Sequence, residues 1–220
     1  METLAASAPS TLEGFREQQR RQIAGAVLTC VGRDGFVGAN VTEVVRAAGI
    51  SRKTFYKYFS TIEEAILFTQ TRLMEDVWKS QREAVRAPGS ALDRYISTLH
   101  VTNELAAEHP DWLRFISFFD IAYRDFALTE ESLVPYRSLM GSYAQTMFGL
   151  IEDGQRDGSI RSDLPVEVIL AGGTNSMFGV AVRGLSIPEL YTDPGLLDRL
   201  LDIEIAFWRD FLSVNSAQRP

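Results

Sequence analysis

Residues 51–59, SRKTFYKYF, bring cationic and aromatic side chains together in a short segment. Phe55 and Phe59 are four positions apart, so in a helix they share a face and are predicted to pack into a core. The three cations of this segment, Arg52, Lys53 and Lys57, then project elsewhere. A helix with two buried aromatic anchors and a cationic outer face suits the major groove of a duplex. The alternative is an ordinary solvated helix face.

The residues before this segment predict a second short helix and a tight turn. Asn40, followed three residues later by Glu43, indicates an N-cap and its reciprocal partner. Gly49 ends that helix and permits a sharp turn, Ile50 packs inward, and Ser51 caps the next helix. Two helices of about seven residues joined in this way predict a helix-turn-helix.

Helical periodicity extends along the chain, so the elements that must position these residues are helices. Apolar residues recur every three or four positions, and no segment shows convincing strand alternation. The predicted helices cover residues 15–31, 40–49, 51–58, 61–86, 90–108, 111–127, 130–157, 165–184 and 193–213. We therefore predict an all-α chain with a mobile arm at 1–14, a helix-turn-helix domain at 15–68, and a larger helical domain at 69–220.

Charge is divided unevenly along the 220 residues, whose net charge is −7. Residues 1–60 contain eight Lys and Arg against five Asp and Glu, a balance of +3, which leaves −10 for the remainder. A basic head on an acidic body suits a module that binds a polyanion. A single cysteine favours a reducing cytoplasm, no stretch reaches about 18 uninterrupted apolar residues, and the N-terminus lacks the pattern of a secretory signal.

Three stretches resemble the DNA-binding signature of the tetracycline-repressor (TetR) family in order and spacing. They are Ile23–Phe36, Val41–Ser51 and Thr54–Phe59, and the resemblance covers residues 16–68. It implies a three-helix DNA-binding domain, a C-terminal domain that binds a small ligand, and a homodimer. The C-terminal half resembles the family more loosely.

The resemblance also implies roles for individual residues. Arg52 and Lys53 match positions that reach base edges or phosphates, and Lys57 matches a position that faces the DNA groove. Tyr56 and Tyr58 match positions that contact the phosphate backbone of DNA. Asn40 stands where the family usually has a threonine cap. The predicted DNA-binding residues are Asn40, Thr42, Ser51, Arg52, Lys53, Thr54, Tyr56, Lys57 and Tyr58. Arg20 and Arg21 on the first helix suit phosphate contact and plain solvation equally well.

The C-terminal half contains more aromatic residues than a single buried stripe requires, above all between residues 112 and 126. These side chains are typical of an apolar cavity that binds a small molecule, although simple core packing explains any one of them equally well. The candidate ligand-binding residues are His100, Asn103, Trp112, Phe115, Phe119, Tyr123, Tyr136, Met140, Tyr143 and Met147.

The last two predicted helices are candidates for the dimer interface. Helix 165–184 carries small residues at Gly172, Ser176 and Gly179, which permit close approach, and the final helix supplies large apolar side chains. Packed about a two-fold axis they would form a four-helix interface. Alternatively, both helices are internal core helices.

Together these features predict a ligand-responsive repressor that binds an operator in double-stranded DNA as a dimer and is released by a small apolar or aromatic effector. We identify no Ser/His/Asp grouping, paired carboxylates, metal cluster or phosphate-binding glycine loop, so we expect no enzyme activity, cofactor or metal. The alternatives are an enzyme that uses the aromatic cavity, and a DNA-binding activator without an effector.

Overall fold

The computed structural model describes residues 12–187, 189, 193 and 195–214, with backbone only at Leu12, Phe36 and Val37. Its α-helices are α1 (Leu12–Gly38), α2 (Val41–Ala48), α3 (Arg52–Tyr56), α4 (Ile62–Arg86), α5 (Ala91–Glu108), α6 (Pro110–Ala122), α7 (Glu130–Asp157), α8 (Val166–Ser186) and α9 (Leu196–Leu212). A short 3₁₀ helix follows α6 at Tyr123–Asp125. The described residues contain no strand, which confirms the all-α prediction.

The two main differences from the predicted boundaries lie at α1 and α6. Leu12–Gly14 belong to α1 rather than to the predicted arm, whose other residues lie outside the described part of the chain. Helical geometry within α1 is interrupted at Gly35, which has φ +65° and ψ −170°, a conformation that glycine adopts without strain. The α-helical part of α6 ends at Ala122, where the backbone tightens into the 3₁₀ helix.

The chain divides into two compact units. The first contains the described part of Met1–Thr71 together with Phe118–Leu133, and the second contains Arg72–Ser117 and the described part of Val134–Pro220. The predicted C-terminal domain covers everything after residue 68, whereas Phe118–Leu133 cluster with the first unit. Periodicity identifies a helix but does not say which neighbours it contacts.

In the second unit, α8 packs closely against α5 and α9 because glycines leave room for large rings. A Cβ at Gly172 would lie 2.6 Å from Cη2 of Trp208, and the Trp208 indole donates to the Ser176 hydroxyl at 2.6 Å. A Cβ at Gly173 would overlap the buried Tyr95 hydroxyl, which donates to the Ile169 carbonyl at 2.9 Å.

Of the three small residues of α8 predicted to face a second chain, two pack against a residue of the same chain. Gly172 and Ser176 contact Trp208, as expected if these residues belong to an internal core, whereas a Cβ at Gly179 would meet nothing within 4 Å. By length and composition alone, helix α8 could cross a membrane. The sequence contains no run of about 18 uninterrupted apolar residues there. The buried residues of α8 pack against α5 and α9, and the rest of the helix is partly or fully exposed.

Candidate DNA-binding surface

Helices α2 and α3 are set by the predicted caps. The Asn40 side chain accepts from the Glu43 backbone N–H at 3.1 Å, and the Ser51 hydroxyl accepts from the Thr54 N–H at 3.0 Å. Gly49 adopts φ +65° at the end of α2, which reverses the chain at low cost. The side chain of Gln22 donates to the Ala48 carbonyl at 2.8 Å and so connects the end of α2 to α1.

The reciprocal half of the predicted Asn40 capping box is replaced by ion pairs. The Glu43 carboxylate does not return to the Asn40 backbone and instead pairs with Arg46 and, at 3.4 Å, with Arg33. The negative charge of Glu43 is therefore compensated within α1 and α2. This arrangement preserves the cationic character of the neighbouring helix.

Two buried rings hold α3 in the first unit. Phe55 is fully buried and Phe59 is 3% exposed, and their ring centroids lie 5.9 Å apart. The ring of Phe59 also lies 5.5 Å from that of Phe68 in α4. Because α3 is only five residues long, this packing, rather than its own hydrogen bonds, determines its position.

Most other side chains of α3, and that of its C-cap Lys57, face outward. Arg52, Lys53 and Lys57 are exposed, and Tyr56 is 56% exposed with its ring edge against Phe55. The guanidinium of Arg52 donates to the Thr42 hydroxyl at 2.5 Å, which joins α3 to α2 through a neutral partner and leaves the cation uncompensated there.

The structure thus brings the nine predicted DNA-binding residues together on one stretch of surface, which we call the α3 surface. Asn40, Thr42, Ser51, Arg52, Lys53, Tyr56 and Lys57 are exposed on it, and Thr54 and Tyr58 are half-buried. The Lys57 ammonium lies 5.7 Å from the Tyr58 ring centroid. Exposed cations beside hydroxyl and amide groups can bind phosphate oxygens and donate to base edges. As DNA contacts, these residues remain predictions.

The sequence did not anticipate the environment of Arg20. Its guanidinium lies over the rings of Phe59 and Phe68, and burial lowers the pKa of this side chain. Arg21, by contrast, is exposed and pairs with Glu17 at 3.0 Å. The signal was available, because Arg20 is three, four and seven residues before Ile23, Ala24 and Val27, which are among the buried residues of α1.

The candidate ligand-binding residues have varied environments and are not confirmed as a cavity. Phe115, Phe119 and Met147 are buried, His100 is exposed, and the rest are half-buried: Asn103, Trp112, Tyr123, Tyr136, Met140 and Tyr143. Phe119 and Tyr123 belong to the first unit and the others to the second. Within the first unit, the rings of Phe119 and Tyr123 are 5.1 Å apart.

In the second unit, several candidates already have partners within the chain. Asn103 donates to the Asp202 carboxylate at 3.2 Å. Tyr143 packs edge-on against Trp78 at 5.1 Å, and burial raises the pKa of its phenol. Trp112 stacks on His109 at 4.2 Å beside a groove of about 220 Å³, and His100 lines a neighbouring groove of about 420 Å³.

Comparison with known proteins decides what the α3 surface belongs to. Residues 26–66 match the family model of bacterial regulatory proteins of the tetR family. Over these residues the chain is similar to bacterial regulatory proteins of the tetR family. The matched segment contains the whole α3 surface and both of its buried anchors, Phe55 and Phe59.

Solved structures of transcription regulators have the same fold along nearly all of the chain. A tetR-family transcription regulator from Marinobacter aquaeolei VT8 matches with a TM-score of 0.71 at 17% identity, covering 91% of this chain and 98% of that one. The ketosteroid transcriptional regulator KstR2 of Mycobacterium tuberculosis matches with a TM-score of 0.67 at 14% identity, covering 94% and 98%.

A third match was solved with a ligand. The transcriptional regulator FadR from Bacillus subtilis, in complex with stearoyl-CoA, matches with a TM-score of 0.64 at 16% identity, covering 87% of this chain and 98% of that one. In sequence, no curated protein matches the chain significantly. The chain therefore has the fold of a tetR-family transcription regulator, with a helix-turn-helix of the DNA-binding type.

Proposed function

We propose that this chain is a ligand-responsive transcription repressor that binds a pseudo-palindromic operator as a homodimer and is released by a small apolar or aromatic effector. The observation that carries the proposal is the α3 surface. Three cations lie exposed on a helix whose opposite side is held by Phe55 and Phe59. Such a helix can enter a major groove without losing its contacts to the protein.

The test of DNA binding starts from a random duplex library, from which the full chain selects the sequences it binds. We expect an inverted repeat whose half-sites are spaced by about one helical turn or a multiple of it. The intergenic DNA beside the gene should contain a related repeat. If, at physiological salt, no sequence is enriched relative to the starting library, the chain is not an operator-binding regulator.

Dimerisation is supported by apolar side chains that α8 and α9 leave exposed. In α9, Ile203 is 63% exposed and Phe207, one turn later, is 56% exposed. In α8, Val168 is exposed, and Gly179 lies three turns further along the same face with open space above its Cα. A second copy could cover this apolar surface and approach closely at Gly179.

Light scattering on the full chain tests the dimer. We expect a mass close to twice the 24.6 kDa of one chain, and we expect I203E with F207E to shift it toward the monomer because like charges would be buried together. The exposed pair V134E and I121E serves as the matched control. A wild-type monomer at operator-binding concentrations would exclude the proposed two-fold complex.

The effector proposal rests on the aromatic residues of the candidate set. FadR from Bacillus subtilis was solved with stearoyl-CoA, so a protein of this fold can hold a long apolar ligand. At this level of identity the ligand itself does not transfer to the present chain. We propose an apolar or aromatic effector, bound in the C-terminal half, that changes the spacing of the two α3 helices.

The effector test measures thermal stability and release of the selected duplex with stearoyl-CoA, a steroid and an aromatic carboxylic acid as probes. A true effector raises the melting temperature, because it binds only the folded chain, and weakens duplex binding. A reporter gene with the selected repeat across its promoter distinguishes repression from activation, because transcription is measured with and without the chain. Higher transcription in the presence of the chain would favour the activator and overturn the repressor.

A further inference from the structure

Arg20 has an unusual environment for a cation in a DNA-binding domain. Its guanidinium carbon lies 4.1 Å from the ring centroid of Phe68 and 5.0 Å from that of Phe59. Its Nε is buried and has no hydrogen-bond partner. We call Arg20, Phe59 and Phe68 the Arg20 clamp. All three residues lie in the first unit.

The clamp connects α1 and α4 to the segment that follows α3. Arg20 comes from α1, Phe68 from α4, and Phe59 from the turn directly after α3. The ring of Phe59 continues to Phe55, the fully buried anchor of α3 itself. A flat guanidinium over two rings restricts their tilt, since the attraction depends on the cation lying over the ring faces.

Stability alone does not favour an arginine in this place. A partly buried cation with an unpaired nitrogen is costly to desolvate, and burial is the main reason why the pKa of Arg20 is lowered. Apolar side chains of similar size often replace buried charges without loss of stability. The distinctive contribution of the guanidinium is therefore the geometry that it imposes on the two rings.

We propose that Arg20 is a positioning residue: its guanidinium, lying over Phe59 and Phe68, sets the orientation in which α3 presents its exposed side chains. This role requires no contact between Arg20 and DNA. It acts on recognition through Phe59 and Phe55. The effect on DNA affinity rests on the proposed function, whereas the effect on α3 does not.

The first test uses hydrogen exchange on the full chain and needs no DNA. R20M removes the guanidinium but retains a flexible apolar side chain, and R21M makes the same change at the exposed neighbour. We expect amides at Phe55, Tyr58 and Phe59 to exchange about tenfold faster in R20M, with those of α2 and α8 unchanged and R21M resembling the wild type. R20K, which keeps a cation but lacks the planar group, should be intermediate.

Two results would overturn the proposal at this stage. Equal exchange in R20M and R21M would show that the clamp does not hold α3. An equal acceleration in α2 and α3 would show that Arg20 merely stabilises the whole first unit.

The second test measures affinity for the duplex selected by the wild type over a range of salt concentrations. We expect R20M to bind about tenfold more weakly with an unchanged salt slope, because no phosphate contact is lost. A slope reduced by about one would assign Arg20 to phosphate contact and overturn the positioning role. If the wild type selects no duplex, the proposed function fails, and the exchange experiment still decides the role of Arg20.

Discussion

The residues predicted to bind partners are mostly exposed in α3 but mostly packed against the same chain in α8. In α3, most of the side chains predicted to bind a partner are exposed, and two buried rings hold the helix. In α8, two of the three small residues predicted to face another chain lie beneath Trp208 of the same chain. Partner binding and folding should therefore be separable in α3 and coupled in α8.

The largest expected effect is on the α8 side of this comparison. G173A places a methyl group against the buried Tyr95 hydroxyl and disturbs its bond to Ile169. The overpacking exceeds the gain in helix propensity, so we expect the free energy of unfolding to fall by about 1–3 kcal/mol. G141A makes the same change at an exposed position with open space and should be neutral or stabilising by up to about 1 kcal/mol. Urea denaturation of both variants distinguishes these outcomes, and equal stability would refute the close packing.

On the α3 side, K53Q and K57Q should each weaken binding to the selected duplex about tenfold and lower the salt slope by about one. Both lysines are exposed, so the free energy of unfolding should change by less than about 0.5 kcal/mol. K79Q removes the same charge from an exposed position in α4 and controls for net charge. Gel-shift titrations at several salt concentrations provide the measurement. Affinities equal to that of K79Q would remove Lys53 and Lys57 from the DNA contacts.

A smaller effect is expected where folding and binding meet within α3. Ser51 accepts from the Thr54 N–H as the N-cap, so S51A should cost about 1 kcal/mol of stability. S80A, at an exposed position inside α4, should leave stability unchanged or slightly raised. Thermal unfolding followed by circular dichroism compares the two. A S51A melting curve that overlays the wild type would mean that the cap does not stabilise α3.

The smallest expected effect is the pH dependence of the stability that the Asp93–Arg209 ion pair, between α5 and α9, contributes. Arg209 donates to Asp93 at 2.7 Å and, together with bonds from Ser90, lowers the pKa of Asp93 to about 2. An unfolded aspartate titrates near pH 3.9, so the pair stabilises the fold fully above about pH 4 and loses its effect as pH falls through about 2. Both side chains are about half exposed, which keeps the contribution small. The stability difference between wild type and D93N should vanish toward pH 2, and a difference constant from pH 2 to 5 would contradict the linkage.

Much of the helix-turn-helix was predictable because its signals are local. The caps at Asn40 and Ser51, the turn at Gly49 and the spacing of Phe55 and Phe59 each act within about four residues. The C-terminal candidates were harder to interpret, because aromatic side chains line cavities and fill cores with the same periodicity. Asn103, a candidate polar contact for a ligand, instead donates its amide to Asp202, which lies 99 residues further along the chain.

By itself, the amino-acid sequence determined the helical class, most helix boundaries and the cationic face of α3, because hydrogen bonds, caps and apolar periodicity are encoded between near neighbours. Only the tertiary structure decided that Arg20 stacks on Phe59 and Phe68, that Gly172 lies beneath Trp208, and that Phe118–Leu133 join the first unit. These contacts connect residues far apart in the chain. Side-chain packing determines which of these residues meet, and a pattern of neighbouring residues in the sequence does not predict it.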